Sequence, residues 1–121
     1  MSERERIRIE PYKDKDILVI DYVGLQHEGL RNHIDRAKDH ILTSGKNDIL
    51  LLELIHDVKI NKNVPGALKS YAKSISPHVH RYAVVGLSRA TKVLASSLRV
   101  FNFITFETFD TEEEAKDYLI G

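Results

Sequence analysis

Residues 48–55 read DILLLELI, a nearly continuous apolar run of strand length. A strand that is polar on one face alternates in period two. A run without alternation suits a central strand covered on both faces, which is the habit of parallel α/β sheets. This one segment asks for helices above and below it, so the rest of the chain is read for elements that supply them.

The flanking segments alternate in type. Residues 6–10 (Arg6, Ile7, Arg8, Ile9, Glu10) alternate polar and apolar, and Pro11 is expected to end that strand. Residues 12–16 are polar and turn-like, and 17–23 (ILVIDYV) form a second strand closed by Gly24, giving an N-terminal hairpin. Leu30, Ile34, Ala37 and Ile41 lie on one helical stripe over 28–44, with Gly45 at the C-terminal cap. A helix over 64–76 begins at Pro65 with Asn63 as its cap, buries Leu68, Tyr71, Ala72 and Ile75, and stops at Pro77. RYAVVGL (81–87) is a buried strand. A third helix over 88–101 turns Ala90, Leu94, Leu98 and Phe101 inward. ITFETF (104–109) is the last strand. Thr111 and Glu114 form a capping box for a final helix, 111–120, that packs through Ala115, Tyr118 and Leu119. The expected order is ββαβαβαβα: an α/β domain over 4–121 with a mostly parallel five-stranded sheet, an N-terminal hairpin and about four helices.

Composition narrows function by exclusion. The chain of 121 residues has 18 basic and 18 acidic side chains, against the basic face a nucleic-acid binder carries. A net charge near zero weakens colloidal repulsion, and a homodimer is expected on that ground. There is no cysteine, which removes disulfides, thiolate catalysis and cysteine-based zinc sites. The charged start MSERERIRIE has no signal-peptide run, and no stretch approaches a membrane span. The expected location is the cytoplasm.

RYAVVGLSRATKVL followed by FETFDTEEEAKDYL resembles the closing half of SpoIIAA-like domains of the STAS superfamily. There a strand ending in AVVG leads into a helix, and the chain ends on a strand, an acidic helix cap and EEAxxWL, with Tyr118 here in place of Trp. The resemblance implies a STAS-like fold. In anti-sigma-factor antagonists of the superfamily, a serine is phosphorylated at the start of the helix after the third strand. The matching stretch, Asp57 to Leu68, holds no Ser or Thr, and Ser70 lies later, inside the helix. The related CRAL-TRIO fold holds lipid in an apolar cavity under extra helices, which this chain is too short to supply.

Candidate sites each have a plainer reading. His33 and His40 are seven apart, not the three or four of a helical metal pair, and His78 and His80 flank one residue without further ligands, so solvated histidines are expected. His56 and Asp57 end a central strand, where open α/β sheets place ligands, but neighbours on an extended segment point opposite ways. Ser88, Arg89, Thr91 and Lys92 open a helix whose free amides and positive charge suit a small anion, and Lys59, Asn61, Lys62 and Asn63 would extend that patch. Phe101, Phe103, Phe106 and Phe109 are read as core, with Phe103 the one to expect at a sheet edge as a partner surface. Asp21, amid apolar neighbours, is read as a solvated edge position.

The leading expectation is a non-enzymatic STAS-like module that binds a protein partner or a small anionic or apolar ligand through Asp57, Asn61, Lys62, Ser88 and Arg89. No cofactor is expected. The alternative is a carrier of lipid or another apolar molecule, which needs a cavity between helices and sheet. An enzyme using His56 or Asp57 comes third.

Overall fold

A computed structural model describes residues 5–89, 93, 96 and 102–121. Five strands form one sheet in the order of the chain: β1 (Ile7–Tyr12), β2 (Lys15–Asp21), β3 (Ile49–Leu54), β4 (Val79–Val85) and β5 (Glu107–Phe109). β1 is antiparallel to β2, and β2, β3, β4 and β5 run parallel. The sheet is therefore mixed, where a mostly parallel one was expected, because the hairpin contributes a full six-residue antiparallel ladder.

Three α-helices lie wholly within the described residues, α1 (His27–Thr43), α2 (Val64–Ile75) and α3 (Glu112–Ile120), with a 3-10 turn at Ser76–His78; Arg89, Val93 and Ser96 are also helical. The expected helix over 88–101, with Ala90, Thr91, Lys92, Leu94, Leu98 and Phe101, lies mostly outside the described residues.

The hairpin corrects one reading. Pro11 does not end β1 but lies inside it, opposite Asp16. The turn is the two residues Lys13 and Asp14, both with positive φ (46° and 69°), the signature of a tight primed turn whose twist matches its strands. That turn makes Tyr12–Lys15 a hydrogen-bonded pair, so by alternation Pro11 occupies a non-hydrogen-bonded one. Its missing N–H then falls on the open edge of the sheet, where it costs nothing.

Parity along the strands divides the core. Leu18, Ile20, Leu51, Tyr82 and Val84 face α1 and α2, together with Leu30, Ile34, Ala37 and Ile41 from the first helix and Tyr71, Ala72 and Ile75 from the second. Ile17, Val19, Leu52, Leu54, Ala83 and Val85 face α3, which adds Ala115 and Leu119. β3 is covered on both faces, as its unbroken apolar run requires. Thr111 Oγ accepts from the backbone N–H of Glu114 at 3.2 Å, the expected cap of α3. The same helix reaches the hairpin through Lys116 to Glu10 at 2.9 Å and through the Tyr12 hydroxyl, which donates to Asp117 at 2.6 Å.

Three smaller expectations change. Asn63 precedes α2 but makes no side-chain cap; its amide donates instead to Glu28. Asp21 is not at an edge, since β2 lies between β1 and β3. Its carboxylate accepts from Val23 N–H at 2.9 Å and stands 3.7 Å from both Arg6 and Arg8. Phe103 and Phe106 are half-buried against the first core and Phe109 against the second, and Phe101 lies outside the described residues.

Candidate functional site: a buried acid among phenols

The one acidic residue of β3 is Glu53, at a position whose parity turns it toward α1 and α2. It is 4% exposed. Three tyrosines from three different elements surround it. The Tyr71 hydroxyl, from α2, donates to Oε2 at 2.5 Å, and the Tyr82 hydroxyl, from β4, donates to Oε1. Tyr22, just past β2, stands within reach of both Glu53 and Tyr71, but its buried hydroxyl makes no full hydrogen bond to any of the described residues.

Burial penalises the anion of Glu53 more than the phenols stabilise it, and its pKa rises from the usual 4.5 to about 7. All three phenols are pushed well above their ordinary range, first by burial and then by the neighbouring carboxylate. A carboxyl that changes charge near neutrality inside a core is the kind of group that marks functional sites.

Glu53, Tyr22 and Tyr82 line a cavity of about 70 Å³ between the sheet and the two helices. Leu30, Ile34, Val64 and Val84 complete its inner wall, and the half-buried Ile55, Val58, Ile60, Leu68, Leu87 and Phe106 form its outer rim. A wider groove of about 700 Å³ lies at the other end of the sheet, lined by Lys15, Asp16, His40, Lys46, Asp48 and His80. All six of those residues are exposed, whereas the smaller cavity is lined by a buried acid and two buried phenols.

His33 extends the buried polar set. It was expected in solvent but is 4% exposed, and its ring meets that of Tyr22 edge-on, with centroids 5.2 Å apart. Burial, and then the charges of Arg6 and Arg36, lower its pKa. Neither ring nitrogen has a full hydrogen bond among the described residues.

The residues expected at the strand edge are placed as two groups. Asp57, Asn61 and Lys62 belong to the loop after β3, and Ser88 and Arg89 follow the adjacent β4. Asp57 is exposed and takes a left-handed φ of 55°. Asn61 is engaged: its amide donates to Glu28 at 3.0 Å and its carbonyl accepts from Asn63 N–H at 3.0 Å. The side-chain amides of Asn63 and Asn61, both donating to Glu28, hold its carboxyl below its ordinary range. Lys62, Ser88 and Arg89 are exposed. His56, also exposed, lies against Gly86. The sheet order never reverses direction, so no switch-point crevice opens between these strands.

Among the described residues, no group of three or more His, Asp or Glu side chains is placed to hold a metal, and no helix is long and apolar enough to cross a membrane.

No family model matches the sequence, and none of the curated proteins matches it. Solved structures do. An uncharacterised protein of the DUF3478 family with a SpoIIAA-like fold, from Shewanella loihica PV-4, shares 18% identity over 98% of each chain with a TM-score of 0.72. The protein TM1081, determined by NMR, shares 17% identity over 99% of this chain and 93% of its own, with a TM-score of 0.54. At such identities the likeness is one of architecture, and the architecture of this chain is the SpoIIAA-like fold.

Proposed function

We propose that the chain is a non-enzymatic STAS-like binding module whose ligand is a small apolar molecule, or the end of one, held between α1, α2 and the sheet. The observation that carries this reading is a cavity with an apolar wall and a buried acid–phenol set at its inner end. Protein cores pack with few voids larger than a water molecule, and small binding sites combine apolar walls with a few placed polar groups. Both Glu53 oxygens already accept phenol hydrogen bonds, which favours a holding role over proton transfer. The cavity takes a few heavy atoms, so a whole lipid would leave most of its length outside.

The test is amide NMR of the intact chain titrated with short aliphatic probes. Shifts should cluster on the pocket wall and disappear in Leu68→Trp, which fills the rim while leaving the sheet untouched. A wild type that shows no shifts with any probe removes the reading.

A protein partner at the strand edge is the second reading, on Asp57, Asn61, Lys62, Ser88 and Arg89. It is favoured by the rigidity of the loop, which is pinned to the start of α1 by His27 N–H to the Lys59 carbonyl (2.8 Å) and Lys59 N–H to the Leu25 carbonyl (3.1 Å). Arg89→Ala should then weaken capture of a partner without lowering stability.

A further inference from the structure

We infer that the molecule the pocket takes carries a hydroxyl at its buried end. This rests on the pocket reading and names the chemistry of the ligand's head.

The Tyr22 ring is 3% exposed and lines the cavity, and its hydroxyl has no hydrogen-bond partner among the described residues. Enclosing a phenol without a partner forfeits its bond to water with nothing in return, so such groups are uncommon in native cores. Beside it, Glu53 accepts one phenol at each oxygen, Tyr71 at Oε2 and Tyr82 at Oε1. A carboxylate oxygen has two lone pairs, so acceptor capacity remains.

The wall thus presents a phenol proton without a full hydrogen bond beside an acceptor that has room. A hydroxyl answers both at once, accepting from Tyr22 and donating to Glu53. An ammonium has no lone pair for the Tyr22 proton, an ether or ketone has no proton for Glu53, and a hydrocarbon has neither. Water meets the same two groups, but Leu30, Ile34, Val64 and Val84 give it no further partners. An alcohol lays its methylenes on those four side chains.

The experiment titrates the intact chain, near pH 8 so that Glu53 is ionised, with 1-hexanol, its isomer 1-methoxypentane and hexylamine, followed by amide NMR. The alcohol should bind at least roughly tenfold more tightly than the ether, the scale of a hydrogen bond to a charged group. In Tyr22→Phe the alcohol and the ether, both of which accept from Tyr22, should each weaken several-fold, while the ratio between them, set by donation to Glu53, should hold. If neither affinity changes in Tyr22→Phe, the bond to Tyr22 is absent and the hydroxyl bridge is overturned. Equal binding of alcohol and ether, or tightest binding of the amine, overturns the hydroxyl head and leaves the pocket standing. Failure of all three to bind overturns both.

Discussion

Tyr71 on α2 gives its phenol proton to Glu53 on β3 across 2.5 Å, so the second helix is fastened to the central strand by a buried polar bond as well as by apolar contact. Tyr71→Phe keeps the ring but leaves the carboxylate short of a donor. It should destabilise the fold by about 1–3 kcal/mol at pH 8, where Glu53 is charged. Tyr22→Phe removes a hydroxyl that has no partner among the described residues. It should change stability by less than about 0.5 kcal/mol, or raise it. Urea unfolding of the two variants side by side checks the contrast.

Stability should fall as pH rises from about 5 to 8. Folding moves Glu53 from 4.5 to about 7, so in that interval the folded chain binds the proton that the unfolded chain has released. Unfolding is then favoured by raising the pH, up to about 3 kcal/mol in all, with no further loss above the folded value. His33 acts in the opposite sense, because its lowered pKa makes the unfolded chain the better proton binder just below the ordinary histidine range. Glu10, whose burial is outweighed by Arg8 and Lys116, has a lowered pKa, so its contribution is lost only in acid. The Glu53 part is isolated by Glu53→Gln, which should abolish the decline between pH 5 and 8 in urea unfolding. An equal decline in both proteins would assign it elsewhere.

Gly86 has two reasons to be glycine. Its φ is +92°, and a Cβ there would stand 2.6 Å from Cε1 and Nδ1 of His56. Gly86→Ala should cost about 2 kcal/mol or more. Adding His56→Ala should recover the steric part and leave the backbone part, so the double-mutant cycle should show a coupling of at least about 0.5 kcal/mol. Additive effects would mean that His56 swings aside freely.

Thr111→Ala removes the acceptor for Glu114 N–H at the start of α3. The loss should be about 1 kcal/mol. It should also loosen the hairpin's ties at Lys116–Glu10 and Tyr12–Asp117, visible as faster amide exchange in β1.

Much of the fold was legible because burial imposes a period. Leu30, Ile34, Ala37 and Ile41 announced α1, and Thr111 with Glu114 announced the start of α3. Pro11 misled because a proline ends a strand only where its N–H is needed, and which side of β1 stays open is a property of the sheet. Asp21 misled for the same reason: edge or interior is decided by pairing, not by local pattern. The site was less legible. Glu53 was absorbed into an apolar run that tolerates one polar letter, though a single acid in a strand covered on both faces is itself a signal. Tyr71 was read as core, correctly, but nothing local says that it shares a partner with Tyr82. Only the register that sets Leu51 opposite Tyr82 and Glu53 opposite Val84 brings them together.

A sheet whose spatial order is its chain order has a consequence for how it is made. No strand has to be inserted between two that are already paired, and each loop closes between successive strands. The chain can lengthen and dock one βα unit at a time on the growing edge, which keeps closure entropy low at every step. On that route β3 is itself the edge until β4 arrives, and Glu53 faces solvent until α2 and β4 deliver Tyr71 and Tyr82. The carboxyl is hydrated while the first half of the sheet assembles, and it is enclosed by the same event that supplies its two donors.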